Sequence, residues 1–575
     1  MELSEQSIHD VIHPTAAFVN TNNDTYTRKQ PDVTTADATW DESALNPKNR
    51  IDSLEIPKNP LWQIDGTTAF GSQYYATPLF MGAVAPYRID LFVPESSTLS
   101  RDLRQLLDID VTFHTRDKHR ISSLGITRHL VRIMKYWVSQ MDNPRQIYEN
   151  LPFGSKIVLT NLPLDISKAN IKIAQNHALE RQLLSATKIN EYWGPEIELP
   201  PVIDISALVY RSQLHDSVCL VEKDGRPWIF KGLTSFPKYL YHELRQLLKI
   251  SPHPNIMAKP EFLVTKKCSF GNKTAVVGFL LDYHVHGSLR DLIPFLQLHG
   301  KISVSEKLKW SIQLSSALLH LRETTHDFYP DLRLDNLVLT AERDIVMVDF
   351  EQRGVWCEFA APEVNAIEYM RLLAIDEEIP DDVQEKYSAM LSTLLPEWKR
   401  LAAGEEYRWP CSGYNIPWAC LQPVEQEACE VYMLGRVLWC IFEGKSAPQR
   451  AAAWLSYRWE PLVEFPEFTT TPEPIRDLID RCTLGRKPSL SQLIVRDRNQ
   501  LVLRHLEHMG KSSPEEVQET ARKWWSDEIK SSEEWLAARS KGLKDGDWQG
   551  NYYNRPTLRE VYSSLKDLEQ SGVLG

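Results

Sequence analysis

The stretch "FYPDLRLDNLVL", Phe328 to Leu339, followed by "DIVMVDFEQRG", Asp344 to Gly354, decides how this chain is read. Asp331 precedes Asn336 by five residues, and Asn336 opens the apolar run Leu337-Val338-Leu339. A second apolar run, Ile345 to Val348, ends on Asp349, 18 residues after Asp331, a normal interval for strand-loop-strand. A bare Asp-x-x-x-x-Asn is common by chance and then marks a solvated turn. Its weight here comes from the ordered features on either side.

The bulk numbers describe an ordinary soluble chain. It has 575 residues, enough for two or more domains, with 42% apolar and 25% charged content. A net charge of −12 argues against a general nucleic-acid binder. No apolar run reaches the length of a membrane span, and the start, "MELSEQSIHDVIHPTAAFVN", lacks the pattern of a secretory signal. Cys411, Cys420, Cys429 and Cys440 match no zinc-ligand spacing, so the eight cysteines read as reduced, mostly buried thiols. These features predict a cytoplasmic or nuclear protein.

Residues 1–45 are rich in Thr, Asn and Asp and predict a disordered tail. Residues 46–200 predict an accessory region of mixed α/β character, with a strand at 87–93 and helices at 126–141 and 176–193. Arg128, Arg132 and Lys135 read as a solvated helix face. From 201 onward, "SVCLVEKDGRPWIFKGL" reads as strand, Asp-Gly turn, strand, with Lys231 closing the second strand. A helix follows at 237–250, a buried strand at 275–283, and a long helix at 303–324 capped by Ser303 with Glu306 three residues on. Strands first and helices after imply a strand-rich layer on a helical one.

This ordered set resembles a eukaryotic protein-kinase domain over 201–570. The resemblance implies an α+β, bilobal protein-kinase-like fold with a β-rich N-lobe at about 201–285 and a helical C-lobe at about 286–570. Helical insertions fall at about 364–428, where 381–404 reads as a helix, and at about 485–553. It implies ATP and Mg²⁺ as cofactors. Lys231 of "WIFK" stands for the lysine on the α/β-phosphates, and Glu243 for the glutamate that pairs with it. Asp331 stands for the catalytic base, Asn336 and Asp349 for the Mg²⁺ ligands, and Arg333 for the cation near the γ-phosphate. Val218 and Ile229 are placed above the adenine, Val338 below it, Leu281 at the back, and Tyr283 and His284 in the hinge. "AAPEV" (360–364) and "NRPTLREVYSSL" (554–565) supply Glu363 and Arg555 as a structural ion pair. Trp524, Trp525 and Trp535 of the second insertion read as packing residues.

Several positions depart from the family pattern. Aligned on Val218, the three glycine places of the phosphate-covering loop hold Arg211, Gln213 and Asp216. Glycines there let backbone N–H groups approach phosphate, and an aspartate would repel it. Tyr329-Pro330 replaces His-Arg, and the segment from Asp349 to Glu363 contains no Ser, Thr or Tyr, which argues against control by its phosphorylation. Glu351 replaces the glycine after Asp-Phe, as in choline-kinase and aminoglycoside-phosphotransferase relatives, and Glu430 replaces an aspartate. Three functions therefore stay open: an ATP-dependent kinase acting on Ser/Thr of a protein, a pseudokinase binding module, and a kinase with a small-molecule phosphoacceptor.

Overall fold

The computed structural model describes residues 1, 5–18, 59–68, 71–81, 89–109, 118–269, 271–404, 407, 413–452, 460–497, 500–508 and 512–572. It is a mixed α+β protein built on two main sheets and a large set of helices. The first sheet has the order β1 (Trp62–Thr68), β2 (Gln73–Pro78), β3 (Ile89–Phe92), β4 (Lys156–Leu159), β5 (Ile171–Ala174). The pairing of β3 with β4 is parallel, and its crossover carries the Gly125–Ser139 helix. Ile126, Leu130, Ile133 and Met134 recur at helical spacing and pack with Trp62, Tyr74, Leu91 and Ile157. Arg128, Arg132 and Lys135, expected on a solvated face, are half-buried instead.

The second sheet comprises β6 (Val202–Asp204), β7 (Val209–His215), β8 (Val218–Lys223), β9 (Arg226–Lys231), β10 (Phe262–Lys267) and β11 (Thr274–Asp282). Its spatial order is β6-β10-β11-β9-β8-β7. Asp224 and Gly225 join β8 to β9 with φ of +52° and +77°, the left-handed pair that a two-residue hairpin turn requires. The Pro237–Lys249 helix buries Leu240, Leu244 and Leu247 beside this sheet.

The helical part contains Val304–Thr325, Pro362–Ile375, Pro423–Glu443, Glu473–Cys482, Pro514–Asp545 and Leu558–Ser571. Pro423–Glu443 is buried on nearly all sides because it runs through the core, and its buried charges are held by partners such as Arg322 on Glu430. Ser303 caps its helix by accepting the Glu306 N–H at 3.1 Å. A small hairpin, β12 (Leu337–Leu339) and β13 (Ile345–Met347), stands beside these helices. Trp525 and Trp535 are buried by packing, Trp525 edge-on to Tyr369 at 5.0 Å. The seven described cysteines are free, and all but Cys357 are buried; Cys411 lies outside the described residues.

Four expectations need correction. The supposed tail begins with a helix, Glu5–Ile12, whose Ile8 and Val11 are buried against Val517 and Ala521. Its short apolar repeat is diluted by polar neighbours in any longer window; the rest, 19–45, lies outside the described residues. The expected helix at 176–193 is two, His177–Gln182 and Ala186–Trp193. Ser185 caps the second of these, and the Tyr241 hydroxyl takes the Leu184 N–H between them. The helix at 381–404 also breaks, into Asp381–Leu394 and Trp398–Ala403, because Pro396 cannot continue it. Finally, the boundary near 200 cuts through one core: Leu179, Leu183, Ile189 and Trp193 pack with Val221, Phe230 and Leu244.

Candidate active site

Strand pairing fixes the first group. Lys231 ends β9, opposite Val218 on β8 and Phe279 on β11. Its ammonium is buried and reaches three carboxylates: Glu243 at 2.5 Å, Asp349 at 2.6 Å and Glu351 at 3.1 Å. Glu243 comes from the middle of the Pro237–Lys249 helix and also accepts the Phe350 N–H at 3.0 Å. That bond ties the helix to the Asp-Phe-Glu turn. Burial alone disfavours the Lys231 ammonium, but Asp349, Glu243 and Glu351 outweigh it and raise its pKa. Asp349 is disfavoured by burial but pulled down to about 2 by Lys231. For Glu243 burial is the larger effect and lifts the carboxyl to about 7.

Asp349 has φ +68°, a left-handed conformation that aspartate tolerates better than most residues. Two contacts hold it there: Val348 N–H donates to Asn336 O at 2.9 Å, and the Tyr329 hydroxyl donates to Val348 O. Tyr329 also packs edge-on to Phe350 at 5.2 Å. Tyr329 itself is anchored by Glu430, which accepts its N–H at 2.7 Å and pairs with Arg322 at 2.8 Å. Glu430 thus holds the backbone two residues before Asp331. Asn255 of "HPNI" braces the β12–β13 hairpin by donating to Ile345 O at 2.8 Å.

Asp331 and Asn336 meet: the Asn336 amide donates to Asp331 Oδ2 and to Asp331 O, both at 2.9 Å. Arg333 Nε donates to Asp331 Oδ1 at 2.8 Å, and its guanidinium lies 4.6 Å from the Trp356 ring centre. Burial raises the Asp331 carboxyl, with Arg333 opposing. The Asp349 charge also raises it. Leu281 is buried and paired with Ile229; Val218, Ile229, Tyr283, His284 and Val338 are half-buried. Val338 meets the chain after β11 through a bridge to Ser288. Glu363 and Arg555 form the expected ion pair, at 2.9 and 3.0 Å, deeply buried.

The structure adds residues that the sequence reading left out. Arg353 Nε holds the second oxygen of Glu351 at 2.6 Å, so the glycine replacement is a buried, doubly paired carboxylate. The β7–β8 tip is closed on itself. Gln213 is buried and its amide donates to the carbonyls of His215, Asp216 and Val218 at 2.5, 3.2 and 3.2 Å. Its backbone N–H is taken by Asp65 at 3.2 Å, and Asp65 also accepts the Tyr210 hydroxyl. Asp65 sits at a register shift in β1, which re-aims its side chain toward β7. The Asp216 charge acts on Arg353. Asp65, the partner of Gln213, lies 148 residues upstream and has no local signal.

A cavity of about 310 Å³ lies elsewhere, between Trp356–Ala360, Tyr369, Arg436 and Trp525. None of the predicted nucleotide or metal residues lines it. No protein-family model matches the chain, and no curated protein matches it.

Proposed function

We propose that this chain is a phosphotransferase of the protein-kinase type, using ATP and Mg²⁺ and acting on Ser/Thr of a protein. The carrying observation is the Lys231 ammonium held between Glu243 at 2.5 Å and Asp349 at 2.6 Å, next to the Asp331–Asn336 pair. In this reading β6–β11 form the smaller lobe and the helices the larger. The hard oxygens of Asp349 and Asn336 suit Mg²⁺, which when bound would offset phosphate charge. Lys231 binds the α/β-phosphates and Arg333 meets the γ-phosphate. Asp331 orients the acceptor hydroxyl and takes its proton as the new P–O bond forms and the β–γ bridge bond breaks, releasing ADP. Fully ionised, the three acids Glu243, Asp349 and Glu351 outnumber Lys231 and Arg353 by one charge, and the raised Glu243 carboxyl reduces that excess near neutral pH. Mg²⁺ would offset what remains of the repulsion on nucleotide phosphate.

The second reading, a kinase-shaped binding module, is favoured by the β7–β8 tip. Its carbonyls are drawn onto Gln213 and the Gln213 N–H is spent on Asp65, leaving a different surface from a glycine loop. Transfer of labelled γ-phosphate by wild type and Asp331→Asn separates the two. The phosphotransferase predicts transfer by wild type, loss in Asp331→Asn, and equal Mg·ATP binding by both. Equal transfer by the variant would remove Asp331 from its role. Binding without transfer by wild type, across protein and small-molecule acceptors, would favour the module.

A further inference from the structure

Another group of ligand-bearing side chains lies where the N-terminal helix docks. Trp525 Nε1 donates to Val11 O at 2.8 Å, which fixes the end of that helix on the Pro514–Asp545 helix. His9 and His13, four residues apart, then share one face. Their rings stack at 4.2 Å with an interplanar angle of 17°. Both turn to Asp376, the residue that ends the Pro362–Ile375 helix. His9 Nε2 lies 3.5 Å from Asp376 Oδ2, and His13 Nδ1 lies 3.4 Å from the same oxygen. The other nitrogen of His9, Nδ1, faces Glu378 Oε2 at 3.7 Å.

We propose that His9, His13 and Asp376 bind a divalent transition-metal ion of the zinc class, with Glu378 as the positioning carboxylate behind His9. Tetrahedral zinc with bonds of about 2.0–2.1 Å sets its donors about 3.3–3.4 Å apart. The Asp376 oxygen lies at 3.4 and 3.5 Å from the two ring nitrogens, close to that spacing; the stacked rings must turn apart on binding, because each imidazole ligates in its own plane. Two imidazoles and one carboxylate suit zinc, and do not suit Mg²⁺ or Ca²⁺, which take all-oxygen shells. Three protein ligands leave a fourth position for water. A carboxylate on the far nitrogen of a ligating histidine fixes its tautomer and orientation, and Glu378 stands there.

The tautomer of His13 points the same way. Thr15 N–H, which can only donate, reaches His13 Nδ1 at 3.3 Å, so that nitrogen carries the lone pair. The Thr15 hydroxyl, at 2.9 Å, shares that lone pair, which also faces the Asp376 oxygen at 3.4 Å, a repulsion that a cation between them would relieve. The ion would displace both Thr15 contacts. Arg371, a nearby cation, is neutralised by Glu368 at 2.7 Å. The site would staple residues 9–13 to the helix that opens at Pro362. Ile12, His13 and Pro14 form part of the wall of the 310 Å³ cavity facing Trp356 and Glu358, so the ion would fix that wall.

The test uses the full, untagged, metal-stripped chain titrated with Zn²⁺ by calorimetry, and with Co²⁺ by visible absorption. The expected result is one Zn²⁺ per chain, uncompeted by Mg²⁺, and a Co²⁺ spectrum with no thiolate charge-transfer band. His13→Gln abolishes this binding, and Glu378→Gln weakens it roughly 10- to 100-fold. No Zn²⁺ uptake by wild type, a thiolate band, or undiminished uptake by folded His13→Gln each overturns the site. Wild-type stoichiometry decides even if a variant fails to fold.

Discussion

Glu351→Gln tests the chemistry of this site most selectively. Glu351 places one oxygen 3.1 Å from Lys231 Nζ and the other 2.6 Å from Arg353 Nε. In the proposed function the nucleotide phosphate meets the same ammonium from another side. Two contacts of about 3 Å across one ammonium put the Glu351 charge about 6 Å from the phosphate charge. At an effective dielectric of about 20, that repulsion is about 2.8 kcal/mol per unit charge. Salt and water reduce it, so about 1–2.5 kcal/mol of binding, a 5- to 70-fold lower Kd for Mg·ATP, is expected from the neutral amide. The isosteric Gln retains an acceptor for Arg353, and Lys231 still has Glu243 and Asp349. The assay is calorimetric Mg·ATP titration of both proteins at physiological ionic strength, with circular dichroism to match their folds. Equal or weaker binding by folded Glu351→Gln would refute the placement of phosphate beside Lys231.

Two further predictions concern the frame around the site. Arg555→Ala leaves Glu363 buried and unpaired, and also strips donors from the carbonyls of Ala428 and Leu484. Breaking a buried pair in this way costs about 3–5 kcal/mol, which denaturant unfolding should show; a loss below about 1 kcal/mol would contradict it. Glu430 is pushed by burial from 4.5 to about 7, against the pull of Arg322. The folded state then binds the extra proton, so this contribution to stability is complete below pH 4.5 and is lost as pH rises through about 7. Glu430→Gln should flatten that fall in unfolding free energy between about pH 5 and 7 relative to wild type; unchanged slopes would show that Glu430 does not titrate there.

What could be read in advance follows the range of the interactions. Lys231 at a strand end, Glu243 on the next helix, and the Asp331–Asn336 and Asp349 turns are each set by local patterns, so their spacing is visible. The convergence of Glu243, Asp349 and Glu351 on the Lys231 ammonium is a tertiary fact. Glu351 is visible as a departure, but its double pairing depends on Arg353 curling back, which nothing in "DFEQRG" requires. Arg353 and Gln213 look like surface polar residues by composition, since buried polar groups are recognised only by partners. Gln213 finds those partners in its own turn and in Asp65. The N-terminal helix is similar: Ile8 and Val11 are too few to predict a core, and only the Pro514–Asp545 helix makes them one. The β8–β9 turn is the opposite case, because Asp-Gly specifies its own backbone.

The nucleotide site proposed at Lys231, Asp331, Asn336 and Asp349, despite the glycine-free tip, is tested most directly by thermal unfolding of the chain with ATP, with and without Mg²⁺, alongside Asp349→Ala. A ligand at one hundred times its Kd stabilises the native state by about 2.7 kcal/mol. A working site gives a rise in Tm that needs Mg²⁺ and vanishes in Asp349→Ala. No rise at millimolar ATP, or an equal rise in Asp349→Ala, would contradict it.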